Sequence, residues 1–568
     1  MFRLEKDLTA RLIGLTLIAV TLTVFTNSVT DPVNVTKLFV LGGFAFALLG
    51  TAINPYALSN IWQYKAALIV VGLFLLGSIF ALIMSRAPIT QSMYGVYGRN
   101  NGFLLYFLLI VLFICTLSIS TKKQLSVIPT GLFIAGVANL AYSYWVISFG
   151  DFIPWNNTYG NLLGTFGNPN FIGSFFGMFS GLIFALLLAP KTNFNVRVIY
   201  FFLLGGTFYG ILKTGAVQGQ VLFVAAGGLA TYYWVRSKFK SLLAPSAYLA
   251  GSLVAFIFSI LGTQKIGPLS RFLYQETVTL RGEYWYAAWK TGISNPISGV
   301  GFDSFGDWYR RSRRESALQL PGVDTVTNAA HNVYLDMFAF GGAPLFISYI
   351  LITLVTAVAI IRVTIRKKSF DVTFVTLVII WFCYQLQSVI SINQIGLVVW
   401  GWFSSAALIV YEKIDSREKI QADTRLKTTK NSSGLMKGHE IFSDGLKAAV
   451  LSVAGFLISV PPLSADVKWQ SAQVSQDLNR IIATLDSSYM NPLSTFKLNN
   501  IVGVLEINKF SQEAREIALR AVAFNPESYE AWKNITLLSK SSDQEKSLAR
   551  ENMKRLDPLN PMTGLAKE

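Results

Sequence analysis

KAALIVVGLFLLGSIFALIM, residues 65–84, carries one charge at its first position and none after it. A run of about 20 apolar residues is the length a helix needs to cross the hydrocarbon core of a bilayer. Similar runs recur at 11–27, 37–53, 102–120, 124–148, 171–190, 198–213, 220–234, 246–263, 340–361, 371–389, 396–411 and 444–463. The fold class they imply is all-α: a polytopic membrane protein of about thirteen transmembrane helices over residues 1–463. A small extracytoplasmic helical domain follows at 464–568. Composition agrees. The chain is 52% hydrophobic and 14% charged, where a soluble domain carries roughly a quarter charged residues. The first run follows Arg3, Lys6 and Arg11 and lacks a small-residue cleavage site, so it reads as a retained helix.

Lysine and arginine in the short loops set the orientation. Lys122 and Lys123, Lys191 and Arg197, Arg236 to Lys240, Arg362 to Lys368 and the basic stretch from Lys413 to Lys437 fall on the side of the N-terminus. The alternate loops hold little beyond Lys37, Arg86 and Arg99. The expectation is a multi-pass protein of the cytoplasmic (inner) membrane, its N-terminus cytoplasmic and its C-terminal domain outside. The loop 264–332 then also faces outside. Net charge is +17, and the tail from Ser464 carries 13 basic and 13 acidic residues, so the excess belongs to the membrane part. That pattern fits anionic lipids and excludes nucleic acid as the natural partner. Residues 412–443 are charged, without apolar periodicity, and read as a flexible cytoplasmic linker. The linker holds His439, to which no role is assigned. Cys115 and Cys383 lie inside spans without metal-ligand spacing and read as free, buried thiols.

The other histidine is better placed. His331 closes the loop 264–332 in Asn328-Ala329-Ala330-His331-Asn332-Val333-Tyr334-Leu335. A group that titrates near neutral pH at the outer lip of a membrane domain suits proton chemistry on a lipid-linked substrate. The plainer alternative is a histidine satisfied at the interface. Upstream, Arg281-Gly282-Glu283-Tyr284-Trp285 opens an amphipathic helix through Trp289. Arginine suits planar, bidentate contact with phosphate oxygens; the alternative for Arg281 is a salt bridge to Glu283 or snorkelling. Arg310, Arg311, Arg313 and Arg314 read as a solvated face or a lipid-headgroup contact. Asp303 and Asp307, four apart, lack a third ligand, so the expected reaction uses no metal and no cofactor.

Two further outer segments are rich in Gly and Asn: Ser85 to Asn101 and Gly150 to Asn170. Asn168-Pro169-Asn170 predicts a turn and N-cap before the 171–190 span. Their glycines serve tight turns, or else expose backbone N–H groups to an anionic ligand. In the tail, Ala514, Ala518, Ala521, Pro526 and Tyr529 to Ile535 have tetratricopeptide-repeat spacing. One or two repeats are too few to stand alone, so they should lean on the 466–490 helix or the membrane domain. Their role is docking of a protein partner or glycan, or a plain helical cap.

Together, Gly98-Arg99-x-x-Gly102, Gly164-Thr165-Phe166-Gly167-Asn168-Pro169-Asn170, Arg281-x-x-x-Trp285, Gly299-Val300-Gly301-Phe302 and Ala330-His331-Asn332-x-Tyr334-Leu335, with Gly341-Gly342 after them, resemble the O-antigen ligase/polymerase superfamily over about residues 10–411. The resemblance implies an integral-membrane glycosyltransferase. Such an enzyme moves a glycan from undecaprenyl diphosphate to a hydroxyl acceptor at the outer membrane face, without metal or nucleotide sugar. It assigns His331 as the essential histidine and Arg281 as an essential arginine. Arg99, Arg271, Asn168, Asn170, Gln218, Trp285 and Asn332 are the candidate substrate-binding residues. One departure stands out: Thr214-Gly215-Ala216-Val217-Gln218-Gly219-Gln220 has no arginine where the family often carries one. Either Arg99 or Arg271 replaces it, or the donor site differs. The ligase motifs are the most complete; polymerase and protein O-oligosaccharyltransferase remain the alternatives. A transporter of lipid-linked glycans would place ionisable groups at mid-membrane, and these spans hold almost none. A scaffold acting through the tail would leave the loop motifs unexplained.

Overall fold

The computed structural model describes residues 7–154, 157–158, 160–274, 276–425 and 438–561. They form helices throughout; the only β-pairing among them is an isolated bridge between Ser488 and Asn491. Ten helices are long and apolar enough to cross a membrane: Asn34–Ala52, Lys65–Ile83, Lys122–Phe149, Pro169–Leu188, Phe194–Thr214, Leu243–Thr263, Val333–Arg366, Val372–Ile390, Ile395–Gln421 and Ser443–Ser475. The other three expected spans are helices of a different kind. Leu8–Leu22 and Phe103–Thr116 are shorter, because their apolar sequence runs on into turns. Val217–Lys238 is long enough, but Gln218, Gln220, three glycines and two terminal cations dilute its apolarity. The helix Ile395–Arg425 continues through the first half of the expected linker, and the next begins at Gly438. Residues 426–437 and the His439 side chain lie outside the described residues.

Burial ranks the helices. Ile395–Gln421 is 94% buried and Pro169–Leu188 83%, so they form the centre, whereas Leu243–Thr263, at 6%, lies at the periphery. Cys115 and Cys383 are buried and unbridged.

Polar contacts sort the loops into two ends. At one, Lys122 and Arg366 both pair with Asp415 at 2.8 Å, and Asn54 Nδ2 donates to Asp444. At the other, Asn101 Nδ2 donates to the Asn393 carbonyl, Gln394 Nε2 reaches Asn34, and Asp466 accepts the backbone N–H groups of Thr30 and Asp31 at 2.9 Å. This second end gathers the loop 264–332, the segment 85–101 and the tail.

The final long helix, Gly438–Ser475, is held by close backbone approach. A Cβ on Gly455 would stand 2.2 Å from the Gly42 carbonyl oxygen. Small residues at a helix–helix contact allow the dispersion contacts that drive association where the solvent is itself apolar. Beyond this helix, two helical hairpins, Thr495–Ile507 with Ser511–Phe524 and Tyr529–Leu537 with Asp543–Leu556, pack around Leu498, Ile501, Ala518 and Ala521.

The tail is clamped to the loop by ion pairs. Arg313 holds both oxygens of Asp557 at 2.8 Å, with both side chains fully buried, and Arg310 reaches the same carboxylate at 3.2 Å. Arg311 pairs with Glu527 and stacks on Trp308, and Arg314 pairs with Glu283. Arg310, Arg311 and Arg313, expected to meet solvent or lipid headgroups, instead form an internal clasp whose carboxylate partners come from more than 200 residues away, while Arg314 stays exposed and pairs with the nearby Glu283. Replacing Asp557 by Ala leaves the fully buried Arg313 without its carboxylate, while Arg310 keeps Glu530, at a cost on the order of 3–5 kcal/mol. The expected outcome is a tail that limited proteolysis removes faster from the detergent-solubilised protein, with the membrane helices left intact.

Candidate functional site

The site begins with a broken helix. Val333–Arg366 loses helical geometry at Gly341 and Gly342 (φ −134° and +63°). The carbonyls freed at the break are taken up by the Gly299-Val300-Gly301 turn: Val300 N–H donates to Ala339 O at 2.9 Å and Gly301 N–H to Phe340 O at 3.0 Å. Only glycine fits at 342, since φ is positive and a Cβ would stand 2.5 Å from Pro296 O. The break sets the aim of the short segment 333–340, and His331 lies just before its first turn.

Three contacts hold the histidine backbone. Asn332 caps the helix by accepting the Leu335 N–H at 3.1 Å. Asp336 accepts the Ala330 N–H at 2.7 Å. Trp285 Nε1–H donates to the His331 carbonyl at 3.4 Å. His331 itself is left-handed, with φ +53°, a conformation uncommon for a residue with a side chain and concentrated at functional sites. Its ring lies 5.6 Å from that of Tyr284, and neither ring nitrogen has a hydrogen-bond partner among the described residues.

Two arginines act on that ring. Burial, reinforced by the positive charges of Arg99 and then Arg281, pushes the imidazole from its usual value down to about 3. It is neutral at physiological pH. Arg281 is itself partly buried, and burial pulls its guanidinium below the ordinary value while Tyr284 opposes this. Glu283, the expected partner of Arg281, is engaged by Arg314 at 2.9 Å. Arg281 and Arg99 have no ion pair among the described residues, and Arg99 Nη1 is buried with no hydrogen-bond partner. Two half-buried cations beside a neutral base give this corner of the protein a positive potential.

The other candidates fall elsewhere. Asn168 accepts the Asn170 N–H at 2.9 Å as the N-cap of Pro169–Leu188, with Pro169 in the first turn, as the spacing predicts. Gln218 Nε2 donates to Ser174 Oγ at 2.6 Å, and Ser174 in turn donates to the Asn170 carbonyl at 2.7 Å. This chain joins Gln218 to the Asn170 turn but not to His331. Arg271 is exposed on the short helix Ser270–Leu273, which packs on Leu243–Thr263, and the structure does not bring it to the histidine. Of the two arginines that could supply the missing charge, Arg99 is the one beside it.

Sequence reading missed Asp336, Asn100 and Asp303 as site residues. Asp336 follows His331 by five residues, in the first turn of the helix that Asn332 caps. Asn100 and Asp303 share with His331 a left-handed backbone (φ +56° and +52°). Asp303 is buried, which raises its carboxyl pKa; the Arg99 charge and the backbone N–H groups of Val96 and Asn101 oppose the rise.

Residues 201–350 match the model of the O-antigen ligase family. The matched segment includes Arg281, the Gly299-Val300-Gly301 turn, His331 and the helix break, and leaves Arg99 outside. The match supports glycan ligation by a membrane protein. No curated protein matches the chain.

Because the chain has two histidines, a His439→Gln background leaves His331 as a single reporter. Its imidazole, followed by NMR of isotope-labelled histidine, should stay neutral between about pH 5 and 8. Adding pyrophosphate should move its pKa upward, because an anion between Arg99 and Arg281 cancels the charges that oppose protonation.

Proposed function

We propose that the protein transfers a glycan from undecaprenyl diphosphate to a hydroxyl acceptor at the outer face of the cytoplasmic membrane, without metal. The observation that supports this most is the pair of unpaired arginines, Arg99 and Arg281, flanking a neutral His331. Glycosyl transfer puts negative charge on the leaving diphosphate and needs a proton removed from the acceptor hydroxyl. The arginines supply the first need by electrostatic stabilisation, and the imidazole supplies the second as general base. The acceptor oxygen forms a bond to the anomeric carbon, the bond from that carbon to the diphosphate oxygen breaks, and the acceptor proton passes to His331. Attack opposite the leaving group inverts the anomeric centre. Trp285, Asn332 and Asp336 are positioning residues that hold the base.

In this reading the O-antigen ligase motifs favour a ligase over a polymerase or a protein O-oligosaccharyltransferase. The tetratricopeptide-like tail, docked beside the site, is the part that would meet the acceptor.

The test uses purified protein in proteoliposomes with an undecaprenyl-diphosphate-linked glycan from the native host, candidate acceptors and a chelator. Transfer should proceed, and His331→Ala should reduce turnover by a factor on the order of 10²–10⁴ without loss of expression. Arg281→Ala should lose transfer as well, and Arg281→Lys should recover only part of it, since a point charge does not replace a bidentate fork. A fully active His331→Ala protein would sink the assignment.

A further inference from the structure

The helix Gly438–Ser475 turns Leu446, Val450, Val453 and Leu457 outward, each more than half exposed. Successive steps of four and three residues put them on one stripe. Gly455 and Ser459, on the opposite side, pack against Gly42. On a helix long and apolar enough to cross a membrane, such a stripe faces lipid.

The stripe ends at a proline. Pro461 has no N–H, so the Leu457 carbonyl, four residues earlier, loses its helical donor. A replacement comes from the tail: the Tyr489 hydroxyl donates to that carbonyl at 2.8 Å. Backbone freed by a proline in a membrane helix is tolerated where another group re-satisfies it. Leu463 packs with Val29 and Val35 near the polar end. Leu457 lies six residues before Leu463, about 9 Å further along the helix axis. Tyr489 therefore reaches past the polar end to the level of lipid-facing side chains.

A rigid turn delivers it there. Ser488 and Asn491 exchange both backbone N–H to carbonyl bonds, at 3.2 and 3.0 Å. The Asn491 side chain, 3% exposed, donates to the Thr484 and Asp486 carbonyls. The polar groups at the base are thus spent within the turn. Tyr489 and Met490 stand at its tip, 60% and 39% exposed. From Ser487 to Phe496 the chain carries no charge. An uncharged tip led by a tyrosine suits the membrane interface, where the ring lies beside acyl chains and the hydroxyl keeps a polar partner.

We propose that the Tyr489-Met490 turn seats the tail in the lipid leaflet at the His331 end of the membrane domain. The partner is the bilayer itself, because the tip continues the lipid-facing stripe that ends at Leu457. The tail then has two footholds, the arginine clasp on residues 310–313 and this turn in lipid.

The test is spin-label EPR on the full-length protein in nanodiscs. Cys115 and Cys383 are buried, so the thiol introduced by Met490→Cys takes the nitroxide selectively. Val450→Cys, on the stripe, gives the value for lipid. Ile507→Cys, 82% exposed at the far end of the helix Thr495–Ile507, gives the value for water. Oxygen partitions into lipid and a polar nickel chelate into water, so the ratio of their collision rates with the label reads its surroundings. The ratio at 490 should be severalfold higher than at 507 and approach that at 450. Tyr489→Asp, added to Met490→Cys, puts a charge at the tip and should bring the ratio down to the value at 507. Each variant is first shown to be folded by size exclusion and circular dichroism. A ratio at 490 equal to that at 507, loss of collisions with both reagents because protein covers the turn, or a ratio unchanged by Tyr489→Asp overturns the proposal.

Discussion

Arg99 and Arg281 are cations at least partly buried, with no carboxylate at ion-pair distance among the described residues. Removing charge from water without a partner is costly, and native chains normally pair it. Four other arginines nearby do so: Arg310 and Arg313 with Asp557, Arg311 with Glu527, Arg314 with Glu283. The exception therefore has a local meaning. Glu283 lies two residues from Arg281 and is drawn to Arg314 instead, and Asp303 feels the charge of Arg99 without bonding to it. On the proposed function, an anionic group would complete the site.

Keeping it so depends on backbone geometry that no single helix provides. His331 stands at a left-handed position between a capped helix start and a carboxylate that grips the preceding residue. The aim of that start comes from the break at Gly341 and Gly342, whose freed carbonyls are satisfied by the Gly299-Val300-Gly301 turn. Irregular backbone near a membrane survives only where protein groups re-satisfy it. The turn and the break are thus one device split across 40 residues of sequence. The tail adds a second restraint, because the Arg313–Asp557 pair fixes the helix Phe305–Ser312 that follows the same turn.

Much of this was legible in the sequence and some was not, for physical reasons. Apolar run length is a local property, so the long membrane helices could be read directly. Run length alone does not separate the long helices from shorter apolar ones such as Phe103–Thr116, whose following turn is still apolar. Asn168-Pro169-Asn170 could be read as a cap because capping acts over three residues. The arginine cluster could not: its partner, Asp557, lies some 240 residues away, and nothing near residues 310–314 announces a buried carboxylate. Arg271 and Arg99 were equivalent as letters; only packing distinguishes an exposed cation on a peripheral helix from one whose charge reaches His331.

An imidazole held down at about 3 is a poor base at neutral pH, since efficient proton transfer wants a pKa near the operating pH. Burial and, after it, the charges of Arg99 and Arg281 depress the ring. On the proposed function, a diphosphate between the two arginines would neutralise the second of these causes, so the penalty on the imidazolium falls and the ring gains basicity. The base would then be strengthened by the arrival of the leaving group, and the low proton affinity of His331 would belong to that mechanism.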